Sequence, residues 1–271
     1  MQIIAVDIGN SAIKLLAGEN HLRLPHRSAT SQSDFADALA KYVASVDGSG
    51  PFFWVVVSVD DARRQQFADW IKQNRAEDRI EVITREGVPL DIVDSYRTSV
   101  GVDRLVAAYA AVSLKEADNP LIIVDAGTAV TIDVVSGISA DRSRRFEGGL
   151  IFPGAAACLS VLNSATADLP DVSLWSARLE ESGSLEGLIG TETNMAIANG
   201  VRLSQAHAVA GIVASFDWLP WEQVWITGGG TEGILELLDD QITKQWIAEP
   251  QLVLRGAAII AQQILSNENA D

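Results

Sequence analysis

Two stretches of this sequence place an aspartate and a glycine at the end of an apolar run. Residues 3–18 read IIAVDIGNSAIKLLAG, and residues 122–137 read IIVDAGTAVTIDVVSG. Each runs into Asp-x-Gly and a small polar residue before a second strand-like segment. A carboxylate at the end of a buried strand, followed by backbone N–H groups that glycine leaves accessible, suits a metal-bound phosphate. The repeat therefore indicates two similar phosphate-binding walls.

The polar residues of the first copy, Asp7-Ile8-Gly9-Asn10-Ser11 with Lys14, fit the first of these walls. The Asp7 carboxylate would hold Mg²⁺ through water, because Mg²⁺ keeps much of its hydration shell. Asn10, Ser11 and the turn at Gly9 would donate to phosphate oxygens, and Lys14 would add a positive charge. An Asp-x-Gly turn alone is also compatible with an ordinary β-hairpin, and we keep that alternative for either single copy.

The second copy repeats this arrangement with Asp125, Gly127, Thr128 and Thr131. The alternative is an exposed β-turn on an edge strand. The apolar run at 121–124 argues against it, because a carboxylate that ends so apolar a strand must find donors or a cation. We therefore predict that these residues form the second wall.

The elements that position these residues alternate between strand and helix, which predicts an α/β fold with mixed sheets covered by helices. The clearest break, Asp118-Asn119-Pro120, predicts an N-terminal half at 1–118 and a C-terminal half at 119–271. Apart from the two hairpins, strands are predicted at 52–58, 80–84 and 224–227, and helices at 33–46, about 61–75, 102–114, 155–164, 192–214 and 231–238.

Composition excludes several classes of protein. The chain has 271 residues, of which 48% are hydrophobic, so it can bury a large core. Its formal net charge of −16 argues against a nucleic-acid partner, which would require clustered Lys and Arg. The single cysteine, Cys158, excludes an internal disulfide. With no leader-like start and no apolar run of about 20 residues, we expect a cytoplasmic protein without membrane association.

Asp103 and Arg104 are adjacent at the predicted start of the helix at 102–114. A carboxylate is favoured at a helix N-terminus, so Asp103 could simply complement the helix dipole. Arg104 beside it could simply be solvated.

Gly228, Gly229 and Gly230 follow the predicted strand at 224–227 and precede a helix. They could be only a flexible connection. A run of glycines also allows a flat adenine or a ribose to lie directly on the backbone. We therefore include Gly228 and Gly229 among the candidate nucleotide-binding residues.

The ordered set of motifs resembles the acetate kinase, sugar kinase, Hsp70 and actin superfamily, and within it the type III pantothenate kinases. The resemblance covers almost the whole chain. Besides the two phosphate motifs, it rests on Gly101-Val102-Asp103-Arg104, Gly148-Gly149-Leu150-Ile151-Phe152-Pro153-Gly154, Thr193 and Thr227-Gly228-Gly229.

The resemblance implies two similar ribonuclease H-like domains with mixed β-sheets flanked by helices and a nucleotide cleft between them. It implies ATP-dependent phosphorylation of pantothenate to 4'-phosphopantothenate in coenzyme A biosynthesis, with Mg²⁺ held by Asp7 and Asp125. A monovalent cation, K⁺ or NH₄⁺, and a homodimer are also implied. By the same resemblance Asp103 is the general base, Arg104 binds the substrate carboxylate, and Gly101 and Thr193 lie on the substrate side.

One segment departs from the family pattern. Members usually carry an aromatic residue about seven positions before the glycine of the Gly-x-Asp-Arg motif, followed by an Asn-Pro pair. Here Asp94 occupies that position and Tyr96 is shifted by two. A rearranged loop could let Tyr96 substitute for this aromatic on the substrate side; alternatively, the substrate pocket is altered while nucleotide binding is kept. The altered segment keeps two alternatives open: a kinase of the same fold for another small hydroxy acid, and a non-catalytic nucleotide-binding regulatory paralogue.

Overall fold

The computed structural model describes residues 1–26, 32–46, 50–140, 143–172 and 188–269. The chain divides into two compact units. The first contains Met1–Glu116, Ile138–Gly148 and Gln251–Asp271, and the second contains Ala117–Gly137 and Gly149–Pro250. None of the described helices is long and apolar enough to cross a membrane.

In chain order, the strands are β1 (Gln2–Ile8), β2 (Ala12–Ala17), β3 (Asn20–Pro25), β4 (Phe52–Ser58), β5 (Arg79–Val82), β6 (Asp91–Ile92), β7 (Leu121–Ala126), β8 (Ala129–Val135), β9 (Arg145–Pro153), β10 (Gln223–Thr227) and β11 (Trp246–Ala248). The helices are α1 (Gln32–Ser45), α2 (Asp61–Asn74), α3 (Val102–Leu114), α4 (Ala155–Ala165), α5 (Thr193–Ala214), α6 (Thr231–Leu235), α7 (Asp240–Thr243) and α8 (Leu252–Glu268). A short 3₁₀ helix spans Asp94–Tyr96.

The first unit contains a mixed sheet in the order β3-β2-β1-β4-β5. β1 pairs antiparallel with β2 and parallel with β4, so it lies in the middle of the sheet. All but the last residue of β4 are buried, as expected for a central strand covered on both faces. Trp54 of β4 packs edge-on against Phe52 and Phe67 and anchors the core of this unit.

The second unit repeats this plan with β7 in the middle. β7 pairs antiparallel with β8 and parallel with β10, which pairs in turn with β11. β9 lies next to β8 in strand order. Apolar residues of β7, β8 and β10 pack against α5 and α6. Both predicted hairpins and the mixed α/β fold are therefore confirmed.

The division of the chain differs from the single boundary that the sequence predicts near Asp118. The second unit begins at Ala117, close to that point, but two later segments lie in the first unit. The first is 138–148, where Arg145 and Phe146 pair in parallel with β6. The second is 251–271, which contains α8. Strand pairing and helix packing at these two segments are contacts distant in sequence, which local patterns do not reveal.

Helix α8 is an element that the sequence reasoning missed, since no helix was predicted beyond residue 238. It packs against α3 and β1 of the first unit. The approach to α3 is so close that a Cβ on Gly256 would collide with the carbonyl oxygen of Val106. The apolar repeat in LVLRGAAIIAQQIL was the signal that could have identified this helix. Through α3 the helix supports Asp103 and Arg104.

Candidate active site

The first hairpin ends in a turn formed by Asn10 and Ser11. Ile8 and Ile13 are the last paired residues of β1 and β2, and the Gly9 N–H donates to the carbonyl of Ala12 at 3.1 Å. The turn directly follows a strand whose last five residues are buried. The sequence therefore placed the turn and its polar residues correctly.

Asp7 lies directly across from Lys14 in this hairpin. Lys14 Nζ donates to Asp7 Oδ2 at 3.1 Å, and Asp7 is only 6% exposed. A buried carboxylate is costly unless it is paired, and the register of the hairpin supplies its cation. Antiparallel pairing thus explains why a lysine seven residues after the aspartate lies beside it.

The second hairpin, formed by β7 and β8, is also an antiparallel pair of strands but has a shorter turn. Asp125 lies across from Thr131, and the Gly127 N–H donates to the carbonyl of Ala129 at 3.1 Å. Only Thr128 lies between these hydrogen-bonded residues, whereas Asn10 and Ser11 occupy the corresponding place in the first hairpin. Thr131 is half-buried, and its hydroxyl donates to Asp133 at 3.3 Å.

Gly228 brings a neighbouring backbone segment against the Asp125 carboxylate. β10 runs parallel to β7 and places Thr227 beside Asp125. Gly228 has φ +91°, and a Cβ on it would collide with Asp125 Oδ1 and lie 2.6 Å from the Ala126 carbonyl oxygen. Only glycine fits this conformation and this approach. A Cβ on Gly229 would meet no protein atom within 4 Å.

Asp103 lies in the first turn of α3, after Gly101. Its Oδ1 accepts a hydrogen bond from the Arg104 N–H at 2.9 Å, and a Cβ on Gly101 would collide with the same oxygen. Burial raises the pKa of Asp103, the hydrogen bond from the Arg104 N–H opposes this increase, and the negative charge of Asp7 adds to it. Raising the pKa of a carboxyl group strengthens it as a base.

The Arg104 guanidinium lies against two neighbouring aromatic rings of the first unit. Nη1 donates to the Tyr96 hydroxyl at 2.6 Å, and the guanidinium carbon lies 5.3 Å from the centre of the Tyr96 ring and 5.6 Å from that of Phe146. Arg104 is 8% exposed. Tyr96 thus makes contact with Arg104 despite its shift of two positions, and the altered segment delivers its ring from a 3₁₀ helix.

Phe146 is a residue of this group that the sequence reasoning missed. It is fully buried on β9, and its ring centre lies 6.1 Å from that of Tyr96. Gly148, two residues later, has φ +114° and would place a Cβ 3.7 Å from the Tyr96 ring. The available signal was an aromatic residue just before the Gly148-Gly149 pair.

The predicted site residues are distributed over both units. The first unit holds Asp7, Gly9, Asn10, Ser11, Lys14, Tyr96, Gly101, Asp103 and Arg104. The second holds Asp125, Gly127, Thr128, Thr131, Thr193, Gly228 and Gly229. Within the first unit, the structure joins Asp7 to Lys14 and Tyr96 to Arg104. Within the second, it joins Gly228 to Asp125, while Thr193 is the exposed first residue of α5.

The described residues contain no group of three or more His, Cys, Asp or Glu side chains that could hold a metal ion. Mg²⁺ does not require such a group, because it is commonly bound by one or two carboxylates together with water and substrate phosphates. In each unit, the aspartate is the last residue but one of a central strand that runs into a glycine turn: Asp7 in β1 and Asp125 in β7. A Cβ on Gly229, the second residue after β10, would meet no protein atom within 4 Å, so the backbone that follows the strand beside Asp125 is open to a ligand, as a metal-bound phosphate requires.

A family profile described as type III pantothenate kinase matches residues 3–215 of this chain. The chain belongs to the type III pantothenate kinase family. A relative with that name from Alkalilimnicola ehrlichii is 30% identical over 269 residues, covering 96% of this chain and 98% of its own. One from Synechococcus elongatus is 34% identical over 172 residues, and the match spans 62% of that relative's length. The resemblance drawn from the motifs is confirmed.

Solved structures with low sequence identity share the fold of this pantothenate kinase family member. A non-polymerisable quadruple mutant of pCBH ParM has a TM-score of 0.53 at 12% identity, covering 97% of this chain and 99% of its own. The archaeal actin homologue Ta0583 has a TM-score of 0.51 at 10% identity, covering 97% and 100%. These likenesses establish an actin-like fold.

Proposed function

We propose that this chain transfers a phosphoryl group from ATP to the primary hydroxyl of pantothenate, forming 4'-phosphopantothenate in the first step of coenzyme A biosynthesis. The observation that carries the proposal is the pair at the start of α3. A half-buried carboxylate with a raised pKa, Asp103, lies next to a guanidinium, Arg104, that is held by Tyr96. Membership of the type III pantothenate kinase family supports the choice of substrate.

In this proposal, Asp103 is the general base and accepts the proton of the substrate hydroxyl as the phosphoryl group is transferred. Arg104 binds the substrate carboxylate, because a guanidinium presents a planar fork of N–H donors that matches the two oxygens of a carboxylate. Gly101 keeps the space beside the Asp103 carboxylate clear, and Tyr96 fixes the orientation of the guanidinium. Thr193 is proposed as a further substrate-binding residue.

Phosphoryl transfer depends mainly on positioning and on neutralising charge. We assign Asp7, Gly9, Asn10, Ser11 and Lys14 to phosphate and metal binding in the first unit. The corresponding residues in the second unit are Asp125, Gly127, Thr128 and Thr131, and Gly228 and Gly229 are assigned to the nucleotide. Mg²⁺ bound to the ATP phosphates supplies charge neutralisation, and K⁺ or NH₄⁺ is proposed as the monovalent activator.

A cytoplasmic homodimer without nucleic-acid or membrane partners completes the proposal. Large apolar side chains of the second unit are exposed, among them Leu150, Ile151 and Val161, and a second copy of the chain would cover such a surface. Light scattering coupled to size-exclusion chromatography measures the mass in solution. A mass twice that of the chain is expected, and the mass of a single chain would contradict the dimer.

The function is tested by measuring ADP release from Mg-ATP with and without pantothenate, in K⁺ and then in Na⁺ buffer. We expect pantothenate-dependent release that is faster in K⁺. Asp103→Asn should lower kcat by roughly 10² to 10⁴, the usual contribution of a general base, while Mg-ATP still binds. Asp37→Asn, at an exposed position on α1, is the matched control. ATP binding without pantothenate-dependent release would contradict the proposal.

A further inference from the structure

His26 makes two hydrogen bonds to the turn at Asn10 and Ser11. Its backbone N–H donates to the carbonyl of Ser11 at 2.9 Å, and its ring Nε2 lies 2.8 Å from the carbonyl oxygen of Gly9. A carbonyl oxygen only accepts hydrogen bonds, so Nε2 carries a proton and donates it. No sequence pattern selects this histidine, because the three histidines of the chain lack metal-ligand spacing.

These contacts fix the direction of a phosphate donor. The peptide between Gly9 and Asn10 is planar and trans, so its C=O and N–H point in opposite directions. With the Gly9 carbonyl directed at the His26 ring, the Asn10 N–H is directed away from the ring. The Gly9 N–H is already bonded to Ala12. His26 therefore sets the orientation of a peptide that is proposed to bind phosphate.

In the second unit, the residue after β9 contacts the turn of the second hairpin, as His26 after β3 contacts the turn of the first. β3 ends at Pro25 and β9 ends at Pro153, and in each case the next residue bonds to the turn. The Gly154 N–H donates to the carbonyl of Thr128 at 3.1 Å, as the His26 N–H does to Ser11. A Cβ on Gly154 would collide with the carbonyl oxygen of Gly127, the counterpart of Gly9.

The two turns differ in length, and this difference explains why a histidine, His26, contacts the first turn and a glycine, Gly154, contacts the second. In the shorter second turn, the backbone of Gly154 approaches the Gly127 carbonyl directly, and there is no space for a side chain. The first turn contains an additional residue, and there the Gly9 carbonyl is met by the imidazole of His26. In each unit, the residue that follows β3 or β9 thus contacts the Gly carbonyl of the turn: through a histidine ring in the first unit and through the glycine backbone in the second.

We propose that His26 is a positioning residue for ATP binding: it orients the Asn10 N–H for the phosphates without itself touching the nucleotide. The inference rests on the proposed kinase function, because it assigns the first turn to ATP. Removing the ring donor while keeping the fold should weaken Mg-ATP binding and leave pantothenate binding unchanged.

The test compares three variants with the wild type. His26→Phe keeps a ring without the donor, and His26→Gln keeps an N–H donor without the ring. His21→Phe makes the first substitution at an exposed histidine of the same strand, β3. For each, the Kd for Mg-ATP is measured by calorimetry, KM for ATP and for pantothenate by ADP release, and the melting temperature by circular dichroism.

We expect His26→Phe to raise both the Kd and the KM for ATP about fivefold, since a hydrogen bond contributes on the order of 1 kcal/mol. The KM for pantothenate should not change. His26→Gln should recover most of the affinity, and His21→Phe should match the wild type. If His26→Phe does not fold, His26→Ala is compared with His26→Gln in its place.

The inference is overturned if wild-type protein binds Mg-ATP and His26→Phe binds it equally well. It is also overturned if both His26 variants melt at lower temperature with unchanged Kd for ATP, which is the pattern of a purely structural residue. A wild type that binds no Mg-ATP has a different meaning, because that result contradicts the proposed function itself.

Discussion

The Tyr96 hydroxyl accepts a hydrogen bond of 2.6 Å from Nη1 of Arg104, and the guanidinium also lies against the Tyr96 ring. Tyr96 therefore fixes both the position and the orientation of the group that we assign to the substrate carboxylate. The ring lies two positions from where the family pattern places its aromatic residue. Tyr96 nevertheless contacts Arg104 of the Gly-x-Asp-Arg motif, although it lies two positions away from the family's aromatic residue in the sequence.

Tyr96→Phe should raise the KM for pantothenate about tenfold, because the variant loses a hydrogen bond to a charged group but keeps the ring. The KM for ATP should be unchanged. Steady-state ADP release with varied pantothenate measures the effect. Tyr42→Phe is the control, since it removes the hydrogen bond from the Tyr42 hydroxyl to the Asn20 carbonyl. Equal KM values for pantothenate in both variants would exclude this role of Tyr96.

The raised pKa of Asp103 predicts a pH dependence of both rate and stability. The base works only when ionised, so kcat/KM should fall with decreasing pH at values above the ordinary 3.8 of an aspartate. Because the folded-state pKa is raised, this group stabilises the fold fully below its unfolded-state pKa. That stabilisation is lost as the pH rises through the folded-state value.

Asp103→Asn should therefore melt above the wild type at pH 7, and the difference should shrink as the pH is lowered toward 5. Asparagine keeps an oxygen that accepts from the Arg104 N–H. Melting temperatures of both proteins across this range test the sign. A difference that grows as the pH falls would show that the pKa of Asp103 is lowered.

Gly228→Ala should destabilise the second unit and weaken Mg-ATP binding. Its φ of +91° costs a side-chain-bearing residue about 1–3 kcal/mol, and the added Cβ collides with Asp125 Oδ1. Thermal unfolding and calorimetry with Mg-ATP measure the two effects. Gly233→Ala, in α6, is the control because its Cβ meets no protein atom within 4 Å. Unchanged melting and binding in Gly228→Ala would contradict the close approach.

Gly256→Ala should separate α8 from α3, because its Cβ collides with the Val106 carbonyl and lies 2.7 Å from Val106 Cγ1. Overpacking of this kind costs about 1–3 kcal/mol, and we expect a lower melting temperature. Gly211→Ala is the matched control on α5, where the added Cβ has no neighbour within 4 Å. Since α3 carries Asp103, kcat should fall in the first variant and remain unchanged in the control.

The sequence predicted what depends on local order along the chain. The hairpins at Asp7 and Asp125 follow from apolar strands that run into Asp-x-Gly, and the helix at 102–114 was predicted with the bounds found in the structure. The family followed from motifs in a fixed order. These features were accessible because strand, turn and helix signals lie within a few neighbouring residues.

The tertiary structure decided the contacts between residues distant in sequence. Strand register placed Lys14 on Asp7, a 3₁₀ helix brought Tyr96 to Arg104, and the end of β3 placed His26 on the first turn. The packing of α8 against α3 is another contact of this kind. Each contact depends on how strands pair and helices pack. Local sequence patterns identify the side chains that are available, but they do not show which residues distant in sequence come into contact.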